Sequence, residues 1–145
     1  MTCKTILLVE NNPDDQLLTI RALKKNNLKN HIVLVEDGRE ALDYLFGEGK
    51  YEDRDVSDMP TVILLDLKLP KINGLGVLKQ VREHERTKLI PVVILTSSIE
   101  ESDLIDSYNI GANSFISKPV DSKDFIKAVS QLELYWTVHN KVIHQ

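Results

Sequence analysis

The sequence predicts an α/β protein whose five-stranded parallel sheet is covered by helices on both faces. Five short apolar runs, rich in β-branched residues, recur along the 145-residue chain with helical patterns between them. Each run is continuously apolar, which is typical of strands that are buried on both faces. A chain of this length with 42% hydrophobic and 28% charged residues can bury a sizeable core, so we expect residues 1–145 to form one domain.

The predicted strands end next to polar residues. The five runs are Thr5–Val9, Ile32–Val35, Val62–Leu65, Val92–Leu95 and Ser114–Ile116. In parallel sheets, ligands bind beyond the carboxyl ends of the strands. We therefore expect one sheet edge to collect the polar groups that follow four of these runs, namely Glu10 and Asn11, Asp66, Thr96, and Lys118 with Pro119.

The first predicted helix has the clearest start signals. Asn12 can cap it, Pro13 fits its first turn, and Asp14 and Asp15 face the positive end of the helix dipole. Their place in the first helical turn is enough to explain why Asp14 and Asp15 are acidic. Helical spacing then predicts an apolar face that consists of Leu17, Ile20 and Leu23.

The other helices follow from the same spacing. The second is predicted around Leu42 and ends at Gly47, the third begins after Gly74, and the fourth ends at Gly111. The fifth starts near Asp121 and extends to about residue 140, beyond the rest of the pattern.

The segment Gly47–Pro60 does not fit the helical pattern. It is long for a connection between a helix and a strand, rich in acids and without periodicity. We interpret it as a solvated, mobile loop, with a partner contact as the alternative.

Composition excludes several classes of function. The only cysteine is Cys3, so no intrachain disulfide can form and the reducing cytoplasm is the expected compartment. No apolar run approaches the length of about 20 residues that spans a bilayer, so we expect no membrane association. The net charge of −4 does not favour nucleic acid, and the four histidines lack zinc-ligand spacing.

Asp66 is the residue that most needs an explanation, because a charge at the end of a buried strand is unfavourable without compensation. Carboxylate and amide oxygens from Glu10, Asn11 and Asp66, with the backbone carbonyl of Lys68, form a set of ligands that suits Mg²⁺. An ammonium and a hydroxyl, from Lys118 and Thr96, could hold phosphoryl oxygens on Asp66, since aspartate can act as a phosphoryl acceptor. The structural alternative is a salt bridge between Asp66 and Lys118, but it does not explain why all these groups end neighbouring strands.

The run LLVE…LLDLKLPKINGL…VVILTSS…GANSFISKP resembles the receiver domain of two-component response regulators over nearly the whole chain. The resemblance implies a flavodoxin-like (βα)₅ fold with strand order 2-1-3-4-5, and a phosphoryl group received from a sensor histidine kinase. It implies that Asp66 is the phosphoacceptor, Thr96 the switch hydroxyl and Lys118 the family's lysine. It also implies that Phe115 is a rotating switch aromatic and that the Lys118–Pro119 bond is cis. From the residues alone, Phe115 could equally be a core aromatic.

Two positions depart from the family pattern. Asn11 stands where receivers usually carry a second acid, which should weaken Mg²⁺ binding; replacement of that acid by Asp14 or Asp15 is the less favoured alternative. Lys68 places a charge at a position that is often neutral, and we expect altered dephosphorylation.

Three alternative functions remain. A degenerate receiver would bind partners without phosphorylation, a phosphohydrolase would need a second aspartate where Lys68 stands, and a nucleotide-binding domain would need glycines after the first strand.

We expect signal output through contact with a downstream protein, because the residues after the predicted fifth helix are too few for a DNA-binding module. Apart from self-phosphorylation with Mg²⁺ and slow autodephosphorylation, we expect no enzymatic activity. The end of the fifth helix is rich in apolar residues and either packs on its own domain or forms a homodimer. The long Gly47–Pro60 loop together with Trp136 resembles the stand-alone regulators of bacterial phytochrome-type kinases, in which this region forms dimers. The candidate dimer residues are Leu132, Tyr135 and Trp136.

Overall fold

The computed structural model describes residues 5–25, 31–96, 101–121 and 123–128, without the side chains of Thr96 and of residues 101–105. Its five strands are β1 (Thr5–Val9), β2 (His31–Val35), β3 (Val62–Asp66), β4 (Val92–Thr96) and β5 (Ser114–Ser117). All pair in parallel in the order β2-β1-β3-β4-β5. The predicted fold class and strand order are therefore confirmed.

Helices alternate with the strands. They are α1 (Pro13–Lys25), α2 (Gly38–Phe46), α3 (Gly74–Glu83) and α4 (Glu101–Ile110), and residues 123–128, here α5, are also helical. Asn12 caps α1 as predicted, because its side-chain oxygen accepts hydrogen bonds from the backbone N–H groups of Asp14 and Asp15. Asp37 and Asn73 cap α2 and α3 in the same way.

The sheet separates two cores. Alternate residues of β1 point to opposite sides, so that Leu7 and Val9 pack with α2 and α3, whereas Ile6 and Leu8 pack with α1 and Phe125 of α5. All four of these β1 side chains are almost completely buried. This burial on both faces explains why the run of β1 from Ile6 to Val9 is continuously apolar.

The predicted apolar face of α1 was partly wrong. Leu23 is buried, but Leu17 is 60% exposed, and the other buried positions are the small residues Thr19 and Ala22. Small side chains let the helix approach the sheet closely, and a count of large apolar residues does not detect them. The buried face of α1 is consequently rotated from the one that the leucines suggested.

The connection from α2 to β3 is not the irregular loop that we expected. It contains a short 3₁₀ helix, Gly49–Tyr51. Arg54, which follows this helix, makes most of the side-chain hydrogen bonds that hold the connection in place. The guanidinium of Arg54 donates to the carbonyls of Tyr44 and Leu45 at the end of α2, and to two carbonyls of the loop itself. It also lies 4.1 Å from the centre of the Tyr44 ring.

A second anchor of this connection is Glu40 on α2. Its carboxylate accepts the hydroxyl of Tyr51 at 2.7 Å and the backbone N–H of Glu36 at 2.9 Å, and it pairs with Lys50 at 2.9 Å. Burial would raise the pKa of Glu40, but these three donors outweigh it and lower the pKa. The segment is therefore tied to α2 at two points, through Lys50 and Tyr51 and through Arg54.

Candidate functional site

The register of the sheet brings the polar strand ends together. Val9 of β1 lies beside Leu65 of β3, and Asp66 is the residue with which β3 ends. On the other side of β3, β4 ends at Thr96, which pairs with Ser117 of β5. Glu10, Asp66, Thr96 and Lys118 therefore occupy one edge of the sheet, as predicted.

Asp66 is held in place by a close approach of α3. The backbone N–H of Gly74, the first residue of α3, donates to the carbonyl of Leu67 at 3.0 Å. A Cβ on Gly74 would lie only 2.3 Å from the carbonyl oxygen of Asp66, so this packing requires glycine. The Asp66 side chain is oriented by the backbone N–H of Lys68, which donates to Oδ1 at 3.0 Å.

Lys118 is surrounded by three carboxylates. Its Nζ atom lies 2.6 Å from Oδ2 of Asp66 and 3.1 Å from Oδ2 of Asp15, and it also contacts Oε1 of Glu10. The side chains of Lys118 and Asp66 are less than one-tenth exposed, and that of Glu10 is 1% exposed. Four charged groups from four different segments thus meet in a largely buried site.

The burial of this site perturbs two pKa values. Burial raises the pKa of Glu10 to about 7; the neighbouring Asp66 adds to the shift, and Lys118 opposes it. For Lys118, burial would lower the pKa, but hydrogen bonds to Asp66, Glu10 and Asp15 outweigh it, so the pKa is raised. The ammonium therefore stays charged at any physiological pH, and the site has a permanent positive centre.

Asp15 is a site residue that the sequence analysis considered only as a less favoured alternative. The helix dipole accounted for Asp14 and Asp15 alike, but the structure separates them, since Asp15 reaches Lys118 and Asp14 is exposed. A usable signal was present in the spacing. Asp15 lies four residues before Thr19 and thus on the buried face of α1, which points toward the sheet.

The other predicted site residues have different positions. Asn11 and Lys68 are both exposed next to the edge, and Thr96 is placed there by its backbone alone. The Lys118–Pro119 peptide bond is cis. Phe115 is 37% exposed, with its ring centre 6.0 Å from that of Tyr108, so it is not a core aromatic. The candidate dimer residues 132, 135 and 136 lie outside the described residues.

Among the residues that the structure describes, no group of three His, Cys, Asp or Glu side chains forms a ready-made metal cluster. Two carboxylates, those of Glu10 and Asp66, nevertheless share Lys118. The Oε1 atom of Glu10 is buried, and the Lys118 ammonium lies against it. Two neighbouring carboxylates are the hard oxygen donors that a divalent cation such as Mg²⁺ takes.

The fold and this edge define a class of protein. The sequence profile of the response regulator receiver domain matches residues 6–130, and the chain belongs to this family. Proteins of this class are phosphorylated on an aspartate in two-component signalling. No described helix has the length and hydropathy that crossing a bilayer would require.

Individual relatives place the chain near the regulators of phytochromes. It is 38% identical over 133 residues to the response regulator Rcp1 of Synechocystis sp., which covers 92% of this chain and 88% of that protein. A solved structure of the bacteriophytochrome response regulator AtBRR is 50% identical, with a TM-score of 0.83, and the match covers 92% of this chain and 94% of that one. The phosphorylated cyanobacterial phytochrome response regulator RcpA is 38% identical, with a TM-score of 0.77, over 94% of this chain and 95% of that one.

Proposed function

We propose that Asp66 accepts a phosphoryl group from the phosphohistidine of a sensor histidine kinase. One observation carries this proposal: the ammonium of Lys118 lies 2.6 Å from the Asp66 carboxylate, which ends a buried strand beside a second carboxylate, Glu10. A salt bridge that only stabilised the sheet edge would not need the second buried acid. The names of the relatives support a kinase of the phytochrome type as the partner.

The reaction needs few groups from the protein. A carboxylate oxygen of Asp66 forms a bond to phosphorus while the bond from phosphorus to the histidine nitrogen breaks, and the histidine leaves with the electron pair of that bond. Lys118 neutralises charge on the phosphoryl oxygens. The N–H of Lys68, which already donates to Oδ1, holds the carboxylate in a fixed orientation during the transfer.

The residues fit a Mg²⁺ ion. Glu10, Asn11, Asp66 and the backbone carbonyl of Lys68 would hold it, and a hard cation with few protein ligands keeps several waters. Two largely buried carboxylates, Glu10 and Asp66, that converge on the Lys118 ammonium are the observation that supports this fit. A bound Mg²⁺ supplies positive charge for the transferred group. A neighbouring structure is that of the Mn²⁺-bound form of Rcp1, which is 38% identical, with a TM-score of 0.75, over 92% of this chain and 94% of that one.

The switch follows from the added charge. Phosphorylation adds about −1.5 to −2 charge at pH 7. We propose that the Thr96 hydroxyl moves to the new oxygens and that Phe115, whose ring is now at the surface, moves inward. The altered surface of α4, β5 and α5 then contacts a downstream protein. We also propose a cytoplasmic location, which the single cysteine favours.

The test is chemical phosphorylation followed by intact mass. With acetyl phosphate and Mg²⁺, we expect the protein to gain the mass of one phosphoryl group, and Asp66→Asn to gain none. Asp53→Asn is the matched control, because Asp53 is exposed in the connection after α2, and it should behave like the parent protein. A parent protein that gains no mass at any Mg²⁺ concentration would instead support the degenerate receiver, which binds partners without phosphorylation.

A further inference from the structure

The capacity of Lys118 for hydrogen bonds is already exhausted. An ammonium group has three N–H donors, and three carboxylates surround this one. Its side chain is only 7% exposed, so little water reaches it. Phosphorylation makes Asp66 an uncharged acyl group, so its donor can pass to one phosphoryl oxygen, but a second phosphoryl oxygen can bind Lys118 only after Glu10 or Asp15 has released a donor.

Asp15 is the carboxylate that can release it most readily. Its side chain is 28% exposed, whereas those of Glu10 and Asp66 are 1% and 9% exposed. Its distance to Nζ, 3.1 Å, is longer than that of Asp66. Because Asp15 lies in the first turn of α1, water can solvate its charge after release, while a released Glu10 would remain an unpaired buried charge.

We propose that Asp15 is a positioning residue that holds one donor of Lys118 in the unphosphorylated protein and competes with the phosphoryl oxygens for it. The inference rests on the proposed function and adds a regulatory element to the same site. Removal of the Asp15 carboxylate frees a donor and also removes a negative charge that repels the phosphoryl group. The phosphorylated state, or a state that binds a phosphoryl analogue, becomes more stable as a result.

Asp14 provides the control that a purely structural role requires. It lies in the same first turn, carries the same charge and has the same relation to the helix dipole. Its carboxylate is not among the three that contact Lys118 in the described part of the chain. The variants Asp14→Asn and Asp15→Asn thus change net charge and dipole equally, and differ in the contact with Lys118.

The experiment is a titration with beryllofluoride, an analogue of the phosphoryl group, at saturating Mg²⁺, followed by isothermal calorimetry. We expect Asp15→Asn to bind the analogue about threefold to tenfold more tightly than the parent protein, the range expected for loss of one partly exposed charged contact. Asp14→Asn and Asp15→Glu should remain within about twofold. Asp15→Ala, which removes the carboxylate differently, should follow Asp15→Asn, and the lifetime of the phosphoryl group should lengthen in both.

The outcomes separate the two claims. If the parent protein binds beryllofluoride and Asp15→Asn is indistinguishable from Asp14→Asn, or binds more weakly, the competition by Asp15 is disproved while phosphorylation of Asp66 stands. If the parent protein neither binds the analogue nor gains a phosphoryl group, both claims fail. Thermal unfolding of each variant identifies a misfolded protein, and agreement between Asp15→Asn and Asp15→Ala excludes an effect of one particular side chain.

Discussion

Replacement of Lys118 by methionine would test the electrostatics of the site directly. The change keeps most of the side-chain volume but removes the ammonium that Glu10, Asp15 and Asp66 share. Three carboxylates would then face one another in a site of which two members are almost completely buried. Carboxylates that are close enough to share one ammonium repel each other strongly once it is removed, because little water screens their charges.

The size of the effect can be worked from the burial. Removal of one partner of a buried ion pair costs about 3–5 kcal/mol. Two features place the loss near the lower limit: Asp15 is 28% exposed and can be solvated, and Glu10, with a pKa of about 7, can take up a proton. We expect Lys118→Met to lose about 3 kcal/mol of the free energy of unfolding, which corresponds to a decrease in Tm of roughly 10 °C at this chain length.

Circular dichroism melts at pH 7.5 in EDTA would measure this decrease. Lys68→Met is the matched control, because Lys68 is exposed beside the same edge and its loss changes the net charge equally. Addition of Asp66→Asn to Lys118→Met should recover part of the loss, since it removes one uncompensated charge. Equal melting temperatures for Lys118→Met and Lys68→Met would refute the buried network.

Two further predictions concern the elements around the site. The lowered pKa of Glu40 means that its contribution is complete above its ordinary pKa of 4.5 and is lost as the pH falls through the lower value of the folded state. Glu40→Gln should therefore cost about 1–2 kcal/mol in urea unfolding at pH 7 and much less at pH 3, and an equal cost at both values would contradict the assigned role. Gly38→Ala would place a Cβ only 1.9 Å from the carbonyl oxygen of Ile72, so the loop after β3 must move. We expect a loss of about 2 kcal/mol and slower phosphorylation. Gly76→Ala would bring its Cβ to 3.0 Å from a side-chain methyl of Ile72, a tight contact that a small shift of this side chain relieves, so it should stay within about 1 kcal/mol; similar stability of the two variants would refute this.

The sheet could be predicted from sequence because its three inner strands, β1, β3 and β4, are buried on both faces. Runs such as Val62–Leu65 have no polar residue to obscure them, and the structure extends this run only by Asp66. The position of Lys118 could be predicted as well, since the carboxyl ends of parallel strands must share an edge. In these places a local pattern and the global fold follow from the same physical cause.

The sequence was less informative where several weak contacts together determine the position of a side chain or the conformation of a loop. Asp15 has a sufficient local explanation in the helix dipole, and its contact with Lys118 joins residues that are 103 positions apart. The order in the connection after α2 depends on Arg54, whose four carbonyl partners belong to the backbone and so have no signature in sequence. The predicted burial of Leu17 was wrong for a different reason. Helical spacing does not reveal that α1 packs on the sheet through the small residues Thr19 and Ala22.

The guanidinium of Arg54 has a consequence for how this fold can be altered. Its acceptors all come from the end of α2 or from the connection itself, so this cation needs no acceptor from the sheet. The connection between α2 and β3 is therefore a place where the sequence could be replaced. A sequence grafted in its place would need a donor for the carbonyls of Tyr44 and Leu45, and apolar side chains that replace Tyr51 and Met59 against the core.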